Sequence, residues 1–275
     1  MSVCACASLR PGDPRLQEAE RELARIEAGT GGRVGVAAVN LANGARLGLR
    51  AGERFAMCST FKWALAALIL QRVDSGVESL TRNVAYEESD LVSYSPVTKL
   101  HTGEGMTVGE LCAATLTTSD NTAANLLLAT LGGPAGFTAG VRAWGDSTTR
   151  LDRLEPQLNE NKPGDPRDTT TPDAMVDLMA TALFGSVLTP VSAKMLRNWM
   201  IATRTGRNRL RAGFGPDWTV GNRTGTSANN QNNDLCFALP GPLLIVSYVN
   251  AAKPMSVGIN SVHAEVARAV VAALA

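Results

Sequence analysis

The strand-patterned stretches of this chain lie only near its two ends, with helical patterning between them. Residues 33–41 alternate in strand fashion with Val34, Val36 and Val39, Asn43-Gly44 is a hairpin signal, and residues 45–49 pair back as a second strand. Strand patterns return at 218–223, 234–239 and 243–250. Helical spacing covers 13–29 (Leu16, Ala19, Leu23 and Ile26, with Gly29 just past the end), then 59–75, 107–117, 122–131, 171–183 and 192–202, and finally 259–275. A strand has to bury a face against another element, so strands from both ends are most economically joined in one sheet. The predicted class is α/β in the α+β sense: a five-stranded antiparallel sheet flanked by helices, with an all-α domain inserted. The expected bounds are 1–52 with 203–275 for the sheet domain and 53–202 for the helical one, joined by short linkers near Gly52 and Gly206, with the site in the cleft between them.

Composition excludes several functions. Apolar residues make up 45% of the 275 residues, enough for a large core. Lys plus Arg number 26 against 25 Asp plus Glu, so there is no basic excess to attract nucleic acid or an anionic membrane. The longest clean apolar run, residues 64–70, is far below the ~18 residues of a membrane span. His101 and His263 are the only histidines, neither lies in a metal-ligand spacing, and no metal or cofactor is expected. The five cysteines cannot all pair, and Cys58, Cys112 and Cys236 read as small buried hydrophobes. Ala5-Cys6-Ala7 looks like the small-residue tail of a secretory cleavage site, without the basic and apolar regions that precede one.

The chemistry is concentrated in Ser59-Thr60-Phe61-Lys62, at the start of a helix that is apolar nearly all round. Residues three apart share a helix face, so hydroxyl and amine can meet. A serine hydroxyl needs a base to become a nucleophile. A lysine in a dry site is shifted toward its neutral form, and the helix N-terminus offers N–H groups to an oxyanion. A lysine inside an apolar helix is seldom tolerated without a partner or a task.

Three further segments follow: Ser119-Asp120-Asn121, the loop Glu155-Pro156-Gln157-Leu158-Asn159, and Arg223-Thr224-Gly225 before Thr226. With these in order the sequence resembles the class A serine β-lactamases, whose signature is S-x-x-K, S-D-N and K-T-G. The likeness runs from about Leu16 to the C-terminus, including Ser119 to Asn125 and Arg153 to Asn159. It implies that Ser59 forms an acyl-enzyme with a β-lactam, that Lys62 shuttles its proton, and that Ser119 relays one to the leaving nitrogen. Glu155 is implied as the base for deacylation, with the acylation base left open between Lys62 and Glu155. Asn159, four residues on, shares its water. Asn121 is implied to bind the acylamide of the substrate, Tyr94 to wall the cleft, and the N–H groups of Ser59 and Thr226 to form the oxyanion hole. Arg153 and Asp168 would clamp the ends of an Ω-loop of the compact ~6–16-residue size. Asp120 reads equally well as a helix cap.

The chain departs from the family at several positions. Arg223 replaces the commoner lysine as the cation for the substrate carboxylate, offering a planar fork instead of a point charge. A second arginine of many relatives falls on Asn232 here, and Arg209 is the expected second anchor, although it stands in a basic segment with Arg204, Arg207 and Arg211. Cys58 and Cys112 match halves of family disulfides whose partner positions are Ser227 and Ala66, so neither bridge can form. The resemblance also implies a monomer, exported to the bacterial periplasm or secreted after trimming of its leader, acting on small-molecule β-lactams. The competing readings are a D,D-peptidase or penicillin-binding protein, and a β-lactam sensor domain. Both lack the deacylating glutamate that Glu155 supplies.

Overall fold

The computed structural model describes residues 13–252 and 258–275; Cys4, Cys6 and the cleavage-like tripeptide lie outside them. Helix α1 (Pro14–Thr30) starts where Asp13 accepts the Arg15 N–H at 2.9 Å and Pro14 enters the first turn. Strands β1 (Arg33–Asn40) and β2 (Arg46–Leu49) follow, their turn held by Asn43 accepting the Ala45 N–H at 2.9 Å. Next come β3 (Phe55–Ala56), a 3-10 turn over Cys58–Phe61, and α2 (Lys62–Asp74). The helical region continues through β4 (Asn83–Val84), β5 (Met106–Thr107), α3 (Val108–Thr117), α4 (Asn121–Thr130), α5 (Gly133–Ala143), β6 (Thr169–Thr170), α6 (Pro172–Leu183) and α7 (Pro190–Ile201). The chain then forms β7 (Thr219–Thr226), β8 (Gln231–Leu239), β9 (Leu243–Asn250) and α8 (Ile259–Leu274).

The predicted sheet is present. Its order is β2-β1-β9-β8-β7, antiparallel throughout, with β1 paired to β9 from Arg33↔Asn250 to Asn40↔Leu243. Both faces are buried. Val34, Val36 and Ala38 pack with Leu23 and Ile26 of α1 and Val266 and Val270 of α8. Ala37, Val39, Leu244 and Val246 face the second core, which includes Trp63, Leu65 and Ile69 of α2. All of α2 from Lys62 to Leu70 is buried, which is why its sequence carries no polar stripe.

The structure differs from expectation at four places, the first being the two-residue strands β3 to β6 inside the stretch read as helical, where pairs too short to show periodicity form. The predicted helix over 59–75 begins as a 3-10 turn, so Ser59 precedes the α-helix proper. Strands β7 and β8 each extend by three residues toward the site: Thr224↔Asp234, Gly225↔Asn233 and Thr226↔Asn232 are ladder pairs whose polar and glycine composition hides their strand character. Helix α5 was not predicted, because Gly133, Pro134, Gly136 and Gly140 read as breakers. Pro134 falls in its first turn, and buried Phe137 and Val141 anchor it.

Candidate active site

Ser59 and Lys62 meet through a third residue. Ser59 Oγ donates to Glu155 Oε1 at 3.0 Å, and Lys62 Nζ lies 2.9 Å from the same oxygen. Lys62 also donates to Ser119 O at 2.9 Å, Ser119 Oγ at 3.4 Å and Asn121 Oδ1 at 2.5 Å. Lys62 is wholly buried, and burial, with Arg223 adding to it, holds its ammonium below the ordinary lysine range; Glu155 and Asp120 act in the opposite direction. The chain Ser59–Glu155–Lys62–Ser119 is therefore a continuous line of groups that can pass a proton.

Each member is set by local backbone. Asp120 caps α4, its Oδ1 accepting the Ala123 N–H at 2.9 Å, while its Oδ2 takes the N–H groups of Val97 and Thr98, both at 2.9 Å. The Asp120 carboxylate is thus structural, and its neighbours Ser119 and Asn121 face the cavity. Glu155 is held by Asn125, which donates to its carbonyl at 2.8 Å and accepts its N–H at 3.0 Å. Asn159 Nδ2 donates to Glu155 Oε2 at 2.6 Å, and Asn159 Oδ1 is buried without a partner among the described residues. The loop ends close where Asp168 accepts Arg153 Nε at 2.6 Å and the N–H groups of Asp152 and Arg153 at 2.7 and 3.0 Å. The Asp168 carbonyl accepts the Met57 N–H at 3.0 Å, tying the loop to the segment that carries Ser59. Cys58, Tyr94, Ser119 and Asp168 all have φ between 48° and 66°. Such conformations cost of order 1–3 kcal/mol each, and here they cluster around one cavity.

The opposite wall is the end of β7. A Cβ on Gly225 would lie 2.7 Å from Met57 O and 3.1 Å from Ser59 N, so only glycine lets the strand approach the Ser59 backbone this closely. Arg209 donates to Asn233 O at 2.7 Å, Thr226 Oγ1 at 2.9 Å, Asn260 Oδ1 at 3.0 Å and Gly225 O at 3.4 Å. The resulting cavity, about 380 Å³, is bounded by Ser59, Ser119 and Glu155 on one side and by Arg209 and Thr224 to Thr226 on the other. Tyr94, 62% exposed, stands at its rim.

A family model described as the β-lactamase enzyme family matches residues 18–274. Beta-lactamase FAR-1 of Nocardia farcinica is 44% identical over 93% of this chain and 83% of its own length, and beta-lactamase L2 of Stenotrophomonas maltophilia is 43% identical over 89% and 82%. An ancestral (GNCA) class A β-lactamase structure superposes with a TM-score of 0.90 at 51% identity, over 92% of this chain and 98% of that one. The chain belongs to the class A serine β-lactamases. A β-lactamase from Xanthomonas campestris is also similar, with a TM-score of 0.91 at 44% identity over 93% and 97% of the two chains.

For this class A enzyme the structure revises some expectations. Ser59 and Lys62 share no direct hydrogen bond among the described residues; Glu155 Oε1 joins them. Arg223, expected to face the substrate carboxylate, is wholly buried and donates to Ser119 Oγ at 2.6 Å and to Thr224 O at 3.0 Å. The outward turn of the cavity wall belongs to Thr224 and Thr226, so the Arg223 charge reaches the site through Ser119. Burial brings its guanidinium down to about 10, against the pull of Glu155 and Asp234. Asn121 Nδ2 donates to Ser93 O at 2.8 Å and keeps a second N–H for another acceptor. Cys58 is buried and its thiol is pushed up to about 12, which leaves it inert. Thr205, Gly206, Asn125 and Asp234 carry no site role in the sequence reading, which has Gly206 as a linker and Asn125 only as the end of the Ser119–Asn125 stretch. The cue for Asn125 was its place one turn after Asn121, on the same face of α4.

Proposed function

We infer that this β-lactamase hydrolyses the amide of the β-lactam ring through an ester on Ser59, destroying the antibiotic and so conferring resistance. The observation that carries the reading is Glu155 Oε1 in contact with both Ser59 Oγ, at 3.0 Å, and Lys62 Nζ, at 2.9 Å, in a wholly buried pair. In acylation, Ser59 Oγ attacks the lactam carbonyl and its proton passes to Glu155. Lys62 gives a proton to Ser119, Ser119 gives its own to the lactam nitrogen as the C–N bond breaks, and Lys62 is reprotonated from Glu155. Arg223 donates to Ser119 Oγ, which keeps that oxygen an acceptor on its inner side and turns its proton toward the cavity. The backbone N–H groups of Ser59 and Thr226 receive the oxyanion. In deacylation Glu155 takes a proton from a water that also donates to Asn159 Oδ1, the hydroxide attacks the ester carbonyl, and as the ester C–O bond breaks Glu155 returns the proton to Ser59 Oγ. The glutamate and asparagine on the loop favour hydrolysis over the long-lived adduct of a penicillin-binding protein or a sensor.

Mixing the purified enzyme with excess benzylpenicillin tests this. Continuous loss of the lactam absorbance with many turnovers per molecule is expected; a single stoichiometric burst that leaves a stable adduct would assign the chain to the peptidase or sensor class. Arg209 is the anchor for the substrate carboxylate, with Thr224 and Thr226. Arg209→Ala is expected to raise KM for penicillins about tenfold with a smaller fall in kcat, the pattern of uniform binding lost. An unchanged KM in steady-state kinetics would place the anchor elsewhere. The family resemblance supports a monomer and export to the periplasm or beyond.

A further inference from the structure

Arg209 is not held by any carboxylate in ion-pair contact among the described residues; its four hydrogen-bond partners are neutral. The carboxylate whose charge acts on Arg209 is Asp234, wholly buried on β8 against the Thr205–Arg211 segment. Asp234 Oδ2 accepts the Leu210 N–H at 3.1 Å, one residue from Arg209. Its Oδ1 accepts Asn222 Nδ2 at 3.0 Å, and Asn222 Oδ1 accepts Arg211 Nη2 at 2.8 Å. Asn222 also reaches the Thr205 carbonyl at 3.4 Å. Gly206, at φ +73°, fits against this cluster so closely that a Cβ would lie 2.6 Å from Asn222 Nδ2 and 3.6 Å from Asp234 Oδ2. Thr205, Gly206 and Arg209, three of the groups that bound the cavity, are thus all seated on one buried carboxylate and its amide partner.

We propose that Asp234 is the positioning residue for Arg209: through Leu210 and Asn222 it holds the Thr205–Arg211 segment against the sheet, and so sets how tightly the cavity grips the carboxylate of a β-lactam. The inference rests on Arg209 being that anchor. The charged and titratable groups facing Asp234 are Arg209 and Arg211 from the segment, Arg223 from β7 and Cys236 from its own strand. The α8 residue His263 faces Arg209, and burial keeps its imidazole neutral. Burial lifts the Asp234 carboxyl to about 6, while Arg209, Asn222, the Leu210 N–H and Arg211 oppose the rise. Asp234 is therefore ionised at pH 7.5 and gains a proton as the pH falls through 6. The proton removes the charge that Arg209 and Arg211 face and weakens the acceptor for Leu210.

The test is KM and kcat for benzylpenicillin between pH 5 and 8, with benzylpenicillin methyl ester as a substrate lacking the carboxylate. Wild-type KM for the acid is expected to rise as the pH drops below 6, with kcat changing less. Asp234→Asn is expected to raise KM at pH 7.5 about tenfold, to flatten its pH dependence and to leave KM for the ester unmoved. Asn222→Asp places a second carboxylate about 3 Å from Asp234, and two carboxylates at that distance share a proton, so the KM rise is expected at higher pH. This second variant decides the matter if Asp234→Asn does not fold. If Arg209→Ala raises KM while both the Asp234 and Asn222 variants keep the wild-type KM profile, the positioning role is overturned and the anchor stands. If Arg209→Ala leaves KM unchanged, the anchor itself falls, and this proposal with it.

Discussion

Ser59→Ala is expected to abolish nitrocefin turnover while leaving the fold intact. The side chain loses one oxygen from a half-buried position in a 3-10 turn whose neighbours Cys58, Thr60 and Phe61 are buried, so packing changes little. Chemistry changes completely, because among the described residues Ser59 carries the hydroxyl that donates to Glu155. Ser119 is buried, its Oγ already taken by Arg223 at 2.6 Å and Lys62 at 3.4 Å. Loss of a serine nucleophile from a preorganised hydrolase site costs roughly 10⁶-fold in kcat, the residue of activity coming from oxyanion donors and binding alone. Stopped-flow absorbance with nitrocefin checks this, and a variant retaining the wild-type rate would remove Ser59 from the reaction. A thermal melt beside it, expected to match wild type within a few degrees, shows that the loss is chemical.

Glu155→Ala has the second-largest effect and a different signature. Acylation keeps a second route without Glu155, because Lys62, held below the ordinary lysine range by burial, supplies a neutral amine as base once its carboxylate partner is gone. Deacylation has no such substitute: Glu155 is the carboxylate that Asn159 grips at 2.6 Å, in a loop that Arg153 and Asp168 hold shut at 2.6 Å. A positioned general base contributes about 10²–10⁴-fold, and loss of that factor from the second step alone makes the ester accumulate. Intact-mass analysis after mixing with benzylpenicillin is expected to show a shift of one penicillin, persisting for minutes or longer. Prompt return to the free mass would relieve Glu155 of the deacylating role. Glu155→Gln, which keeps the volume of the buried site, is expected to trap the same adduct.

The five-stranded sheet was legible because its strands follow from local periodicity at the chain ends: Val34, Val36 and Val39 alternate, and Asn43-Gly44 turns the chain back. Ser59, Lys62, Ser119 and Glu155 stand out in the sequence as members of short motifs, and the structure brings them into one hydrogen-bonded line. Helix α5 was hidden by its glycines, and the ends of β7 and β8 by polar residues, because packing and ladder hydrogen bonds overrode local propensity there.

What the sequence determined by itself is the set of reactive groups and the order of the elements that carry them. Only the tertiary structure decided which atoms touch. It joined Ser59 and Lys62 through Glu155, withdrew Arg223 behind Ser119, and set Leu210, the neighbour of Arg209, on Asp234. The physical reason is that spacing along a helix or strand fixes contacts within one element. The relations that tune charge here cross between α2, the Glu155 loop and the far strands, where burial and the approach of distant backbones set both geometry and protonation.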